Sequence, residues 1–164
     1  MSQARILVVE DEAIVARDIA AQLDMLGYAV VGRVARGEDA VTQALALRPD
    51  LVLMDIQLAG EMDGISAAQV LHEQALIPVV FLTAFASDET LERAKRVHPY
   101  GYILKPFSER ELRTVLEMAL YKCEAEARLH AAAAHTQAIL NHMVDGVITI
   151  NEFGVMESVN QAAC

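Results

Sequence analysis

The stretch RILVVEDEAIVARDIAAQLDMLG, residues 5–27, contains the pattern that decides the fold. Its first part, residues 5–10, is a short apolar run that ends in an acid. Such a run is typical of a strand that is buried on both faces of a parallel sheet. Residues 12–26 then place apolar side chains at helical spacing, and Gly27 is a suitable residue to end that helix. The stretch therefore predicts one strand followed by one helix.

The same strand and helix unit recurs four more times along the chain. Further strands are predicted at 28–34, 51–55, 78–83 and 100–104, and further helices at 37–47, from Gly64, at 87–97 and from Ser108. Five such units in succession predict an α/β fold, a doubly wound, flavodoxin-like (βα)5 sandwich whose parallel sheet has the strand order 2-1-3-4-5. In this class the functional site lies at the carboxyl ends of the strands.

The last part of the chain departs from this pattern. Residues 108–143 contain neither Gly nor Pro, and they predict an extended C-terminal helix of about 54 Å that begins with the capping box Ser108-x-x-Glu111. The apolar segments VITI and VMESV on either side of the turn at Gly154 predict a β-hairpin. We therefore divide the chain into a first domain at 1–122, a linker helix at 123–143 and part of a second domain at 144–164.

The composition excludes several classes of function. The 164 residues include 13 basic and 23 acidic side chains, so the formal net charge is −10. This charge argues against binding to nucleic acid or to an anionic membrane surface, and no apolar run is long enough to span a membrane. The N-terminus lacks the pattern of a signal peptide, and two cysteines do not make a disulfide framework. We expect a cytoplasmic protein.

Charged and polar side chains follow the predicted strand ends. Glu10 and Asp11 come after the first strand, and Asp55 ends the third, which is its neighbour in the predicted order. Three carboxylates at one edge repel each other, so a proton or a cation must join them. Oxygen ligands suit Mg²⁺, and a carboxylate can act as a nucleophile towards phosphorus. With Thr83 and Lys105 at the next two strand ends, the edge suits a phosphorylated aspartate.

Five motifs resemble those of the receiver domain of two-component response regulators. They are ILVVEDE at 6–12, LVLMDIQL at 51–58, MDGI at 62–65, VVFLTAF at 79–85 and GYILKPF at 101–107. The resemblance covers residues 3–122. The loop IQLAGEMDG at 56–64 departs from the family pattern, since it lacks the usual Pro and has one extra residue. This departure leaves the geometry of the loop open but not the identity of the acceptor.

The resemblance implies a role for each residue at the strand ends. Asp55 is the expected phosphoacceptor, and a cognate histidine kinase is the expected donor. The further implied roles are Mg²⁺ binding by Glu10 (through water), Asp11, Asp55 and the Gln57 carbonyl; phosphoryl binding by Lys105, Thr83 and Ala84; and switching by Thr83 and Tyr102. The Lys105–Pro106 bond is expected to be cis. The switch would alter the face formed by the fourth helix, the fifth strand and the fifth helix.

Residues 135–164 resemble the start of a PAS sensor domain, which suggests a longer protein with a PAS-linked output. We expect a signalling domain rather than a turnover enzyme. An aspartate-based phosphatase of similar fold would need an acid where Gln57 stands. A dimerising scaffold that is never phosphorylated remains the alternative, as does a homodimer of the receiver through either the switching face or the linker helix.

Overall fold

The computed structural model describes residues 3–84, 87–142, 148–150 and 156–159. Five βα units form the first part of the chain, and a pair of short strands follows the last helix. The elements are β1 (Arg5–Val9), α1 (Ala13–Met25), β2 (Ala29–Val34), α2 (Gly37–Leu47), β3 (Leu51–Asp55), α3 (Gly64–Ala75), β4 (Val79–Thr83), α4 (Asp88–Arg96), β5 (Gly101–Leu104), α5 (Glu109–His142), β6 (Ile148–Ile150) and β7 (Met156–Val159).

The first five strands form one parallel sheet in the order β2-β1-β3-β4-β5, which confirms the predicted topology. The register aligns Val9 with Met54, and Asp55 with Leu82. Thr83 aligns with Leu104. Because these pairs are at the ends of their strands, the residues that follow them meet at one edge of the sheet. Asp55 and Thr83 end two of these strands, and Glu10, Asp11 and Lys105 directly follow two others.

Helices cover both faces of the sheet, as the sandwich prediction requires. Along β1, Ile6 and Val8 belong to a core that includes residues of α1 and α5, whereas Leu7 and Val9 belong to a core that includes residues of α2, α3 and α4. The alternation follows from the period of two along a strand. All four side chains are completely buried, which explains why β1 is an unbroken apolar run.

Side-chain caps fix the starts of three helices at the residues that the sequence indicates. The carboxylate of Asp63 accepts a hydrogen bond from the Ser66 amide at 2.8 Å. The hydroxyl of Ser87 likewise accepts from the Thr90 amide at 3.2 Å. At the start of α5, Ser108 and Glu111 exchange the two hydrogen bonds of a capping box. These bonds satisfy amides that have no partner within the helix.

The chain divides into two compact units, Met1–Cys123 and Glu124–Cys164. In the second unit, β6 and β7 pair in antiparallel fashion, with Ile148 opposite Val159, as the hairpin prediction requires. The predicted helix end at Met143 and the predicted turn at 151–154 lie outside the described residues. Within the described part of the chain, no helix combines the length and the apolar character needed to cross a membrane.

Candidate functional site

Three carboxylates meet at the carboxyl edge of the sheet. Glu10 and Asp11 follow β1, and Asp55 ends β3, so the pairing of these two strands brings the acids together. One carboxylate oxygen from each residue lies within 4.8 Å of the other two. Glu10 and Asp55 are buried, whereas Asp11 is exposed to solvent. The cluster is therefore open on one side, where a ligand can approach.

Lys105 joins two of these carboxylates. It follows β5 at a cis bond to Pro106, and its backbone amide donates to the carbonyl of Thr83 at 2.8 Å. Its Nζ lies 2.5 Å from Oε2 of Glu10 and 2.5 Å from Oδ2 of Asp55. One ammonium group thus bridges the ends of β1 and β3 from the last strand of the sheet.

The environment shifts the pKa values of two of these groups. Burial raises the pKa of Glu10 above its usual value, and the nearby charge of Asp55 acts in the same direction against the hydrogen bond from Lys105. Burial alone would lower the pKa of Lys105, but its hydrogen bonds to Asp55 and Glu10 outweigh burial and raise it. Lys105 therefore stays charged throughout the physiological range of pH.

The donor set fits a divalent cation. Three carboxylates carry three negative charges, and the ammonium group of Lys105 balances one of them. The two remaining negative charges match a divalent ion, and the oxygen ligands with an open side are those that Mg²⁺ prefers. Gln57 is next to this cluster, since its backbone amide donates a hydrogen bond to Oδ1 of Asp55 at 2.9 Å. The site thus suits Mg²⁺ with water as its remaining ligands.

The other predicted residues lie nearby but do not bond to the acids. Thr83 is buried at the end of β4, and Ala84 is exposed beyond it. The ring of Tyr102 packs at 6.0 Å from that of Phe81, and its buried hydroxyl has no hydrogen-bond partner among the described residues. Within the same residues, no hydrogen bond joins Thr83 or Tyr102 to the carboxylates. The structure therefore brings Glu10, Asp11, Asp55 and Lys105 together, and among the described residues Thr83 joins this group only through the backbone bond to Lys105.

Two residues that hold the surroundings of the site could not be recognised from the sequence. Glu38 in the first turn of α2 accepts hydrogen bonds from the amides of Glu61 and Met62. Arg93 of α4 donates to the carboxylate of Asp63 at 2.8 Å. Both contacts join residues more than twenty positions apart in the chain, and neither Glu38 nor Arg93 belongs to any of the motifs. An acid in the first turn of a helix usually has a local explanation, so the sequence offered no signal for Glu38.

An open depression of about 430 Å³ adjoins the acid cluster. It is lined by Glu10 and Asp11 on one side and by Arg33 at the end of β2 on the other, with Ala13 and Ala16 of α1 as small walls. The small side chains leave room beside the carboxylates.

A doubly wound sheet with buried acids and a bridging lysine at its carboxyl edge is the arrangement expected of a signalling receiver domain. Residues 6–117 match the response regulator receiver domain family, and the chain belongs to that family. Receiver domains bind Mg²⁺ at an acidic cluster of the kind that Glu10, Asp11 and Asp55 form.

Known proteins similar to this chain include transcriptional regulators. The transcriptional regulatory protein PdtaR of Mycobacterium tuberculosis is 39% identical over 116 residues, which are 71% of this chain and 56% of that protein. The chain spans about half the length of the curated relatives it matches.

Two solved structures are also similar. The signal receiver domain of a modulated diguanylate cyclase from Desulfovibrio desulfuricans has 41% identity and a TM-score of 0.73, covering 76% of this chain and 99% of that one. The N-terminal domain of a response regulator/sensory box/GGDEF 3-domain protein from Carboxydothermus hydrogenoformans has 40% identity and a TM-score of 0.67, covering 75% and 98%.

Proposed function

We propose that this chain is a cytoplasmic phosphorelay receiver in which Asp55 accepts a phosphoryl group from a cognate histidine kinase in a Mg²⁺-dependent reaction. The observation that carries the proposal is the Lys105 ammonium group held 2.5 Å from both Asp55 and Glu10. A lysine in this position can move from the carboxylate to a phosphoryl oxygen without leaving the site. A structural ion pair alone would not need the third, exposed carboxylate of Asp11 beside it.

The transfer is a single displacement at phosphorus, in which one bond forms and one breaks. A carboxylate oxygen of Asp55 forms a bond to phosphorus while the bond between phosphorus and a ring nitrogen of the kinase histidine breaks. The electron pair of that bond returns to the imidazole, which leaves as a neutral ring when its other nitrogen carries a proton. Hydrolysis later removes the phosphoryl group. Water attacks phosphorus, the bond to Asp55 breaks, and phosphate and the Asp55 carboxylate are released.

The residues of the chain bind and orient the reacting groups. Lys105 holds a phosphoryl oxygen, and the Gln57 amide, which donates to Oδ1 of Asp55 at 2.9 Å, orients the carboxylate for attack through its other oxygen. Asp11, Asp55 and the Gln57 carbonyl would hold Mg²⁺, and Glu10 would act on it through water. When bound, Mg²⁺ neutralises charge on the transferring group. The Ala84 amide and the Thr83 hydroxyl bind the remaining phosphoryl oxygens.

The switch then acts through Thr83 and Tyr102. After phosphorylation the Thr83 hydroxyl turns towards the new phosphoryl group, and the Tyr102 ring moves into the space beside it. The unpartnered hydroxyl of Tyr102 supports this assignment, because no hydrogen bond among the described residues has to break for the ring to move. Tyr102 lies on β5 between α4 and α5, so its movement alters the face that these three elements share.

The direct test is the mass of the intact protein after incubation with acetyl phosphate, with and without Mg²⁺. We expect a gain of one phosphoryl group that requires Mg²⁺, is absent from Asp55→Asn and persists in Asp24→Asn. Asp24 is the matched control because it is an exposed acid on α1, away from the strand ends. A gain that survives in Asp55→Asn would refute the assignment of the acceptor.

We further propose that residues 1–122 are the receiver, 123–143 a linker helix and 144–164 the start of a PAS-like sensory domain of a longer protein. The antiparallel pairing of β6 and β7 supports a second folded unit at this end. The similar protein from Carboxydothermus hydrogenoformans is described as a response regulator/sensory box/GGDEF 3-domain protein, which supports the same order of domains here. The receiver would then control the output of that longer protein and would not itself turn over a substrate.

A dimerising scaffold is the second candidate. Met118 and Tyr121 on α5, like Leu104 on β5, are each about two thirds or more exposed. Met118 and Tyr121 are three residues apart and therefore lie on one side of the helix. This exposed apolar surface supports a homodimer through the α4, β5 and α5 face or through the linker helix, whether or not Asp55 is phosphorylated.

A further inference from the structure

The loop of residues 56–63 connects the proposed acceptor to α3. It begins directly after Asp55 and includes Gln57, and it ends where the Gly64 amide donates to the carbonyl of Ile56 at 2.9 Å. This is the loop that departs from the family pattern by one residue. A longer loop has more conformations to lose when it is ordered, so something must hold it near the site.

Glu38 on α2 makes the contacts that hold the loop. Its Oε1 accepts hydrogen bonds from the backbone amides of Glu61 and Met62, each at 3.2 Å. Its Oε2 is shielded from solvent and lies 3.7 Å from Nε of Arg36. The backbone of Arg36 in turn forms a parallel bridge with Ala59. The start of α2 and the loop are thus joined by backbone and side-chain bonds.

Two glycines permit this close approach. Gly37 begins α2, and a Cβ atom there would lie 2.6 Å from the backbone oxygen of Met62, which is closer than any stable contact allows. Gly60 has a φ of +113°, which L side chains rarely adopt, and a Cβ atom there would lie 3.3 Å from Nε of Arg36. The sequence is therefore adapted to α2 and the loop packing against each other.

The protonation of Glu38 is consistent with these contacts. Its pKa is lowered, first by a hydrogen bond from its own backbone amide and then, against the effect of burial, by those from Met62 and Glu61 and by the charge of Arg36. Glu38 is therefore ionised at neutral pH and accepts both loop amides as a carboxylate.

We propose that Glu38 is a positioning residue that holds the loop of residues 56–63 in place and thereby sets the Mg²⁺ affinity of the acid cluster. The inference rests on the proposed function, because it takes the Gln57 carbonyl as a metal ligand. Glu38 itself touches neither the metal nor the phosphoryl group. It acts through the loop, by reducing the freedom of the backbone between Asp55 and α3.

The test compares Glu38→Ala, Glu38→Gln and Asp39→Ala in the full chain. Amide exchange measured by NMR in the metal-free protein should become about tenfold faster at Glu61 and Met62 in Glu38→Ala, because each amide loses its acceptor. The Mg²⁺ dissociation constant, measured by calorimetry, should rise about tenfold, as it does when groups behind metal ligands are removed. Glu38→Gln keeps an acceptor oxygen and should lie nearer the wild type. Asp39→Ala removes the same charge from the same turn and should leave both quantities unchanged.

Two results would overturn the inference. One is a Glu38→Ala variant whose amide exchange rates at Glu61 and Met62 and whose Mg²⁺ affinity equal those of the wild type. The other is a Glu38→Gln variant as impaired as Glu38→Ala, which would show that charge and not the hydrogen bonds matters. Failure of the proposed function is a separate result, since it would appear as a wild-type protein that gains no phosphoryl group. Exchange at Glu61 and Met62 in the metal-free protein tests the loop contact in either case.

Discussion

The ammonium group of Lys105 pairs with two carboxylates, but it carries only one positive charge. It lies 2.5 Å from Glu10 and from Asp55, and the side chain of Glu10 is completely buried. Removing the partner of a buried charge costs more than the pair contributes, because the remaining charge has neither water nor a counter-ion. Glu10 is therefore the group that depends most on Lys105.

We predict that Lys105→Ala lowers the free energy of unfolding by about 3 kcal/mol in the absence of metal. Mg²⁺ should restore part of this loss, because a bound cation replaces the missing charge and stabilises the native state. Urea unfolding followed by circular dichroism, with and without Mg²⁺, measures both effects.

Lys95→Ala is the control for this prediction. Lys95 pairs with Glu92 on the exposed side of α4, where such a pair contributes about 0.5 kcal/mol or less. The prediction fails if the two lysine variants lose the same stability, or if Mg²⁺ does not favour the native state of Lys105→Ala more than that of Lys95→Ala.

The carboxylate of Asp63 connects two helices. It caps α3 through the Ser66 amide and pairs with Arg93 of α4 at 2.8 Å. Burial raises the pKa of Asp63, but the hydrogen bonds from Ser66 and the guanidinium group of Arg93 outweigh burial and hold it below its usual value of 3.8. The native state therefore binds fewer protons here than the unfolded chain does in acid. The stability that this carboxylate contributes is present above the unfolded pKa and is lost as the pH falls through the lower native pKa.

We predict that Asp63→Asn lowers the free energy of unfolding by less than about 1 kcal/mol near pH 7, because the pair with Arg93 is partly exposed. Asn is also a good N-cap residue, so the substitution tests the charge and not the cap. The difference from wild type should shrink as the pH falls through the lowered native pKa of Asp63, below which this carboxyl group is protonated in both states. Urea titrations from neutral to acidic pH measure this difference in the free energy of unfolding.

The control is the same substitution in an Arg93→Gln background. Without the guanidinium group, most of the effect of Asp63→Asn should be gone at neutral pH, and the remainder measures the difference between Asp and Asn as caps. An effect of Asp63→Asn that is equal at neutral and acidic pH would contradict the prediction.

The regular elements could be read from the sequence because their signals are local. The bounds of α2 and β3 agree with the prediction at both ends, and the capping residues Asp63, Ser87 and Ser108 start the helices that they were expected to start. The backbone conformation just after three of these helices could not be read in this way. Arg48, Leu76 and His98 follow α2, α3 and α4 with positive φ, a conformation that the sequence usually marks with glycine.

The acid cluster followed from topology, since the order 2-1-3-4-5 places the ends of β1 and β3 side by side. The contacts around this cluster could not be predicted from the topology. Lys105 is 95 residues from Glu10, and Glu38 is 23 residues from Glu61. Whether such residues bond depends on the path of the loops in three dimensions, and the loop of residues 56–63 departs from the family pattern. The sequence therefore identified the edge of the sheet and its chemistry, but not the bonds that support it.

In the chain as a whole, two large side chains on α5 are not covered by the rest of the unit formed by residues 1–123. Met118 and Tyr121 on α5 are 67% and 74% exposed. A symmetric pair of such helices would bury these side chains against their copies, and each buried apolar side chain contributes about 1.5–3 kcal/mol.

We predict that Met118→Glu combined with Tyr121→Glu weakens self-association of the full chain by about tenfold or more, since the change places like charges opposite each other. Sedimentation equilibrium over a range of protein concentrations measures the dissociation constant. Leu76→Glu is the control, because Leu76 is 75% exposed but lies beyond the end of α3. Equal effects of the two changes, or a wild-type chain that stays monomeric throughout, would refute this prediction.

The contact between Gly37 and the backbone oxygen of Met62 also constrains how this sequence can change over generations. Because the nearest atom belongs to the main chain, no substitution at residue 62 can make room for a side chain at residue 37. Any other residue at position 37 therefore requires the main chain of the loop to follow a different path, and not merely a smaller side chain at residue 62.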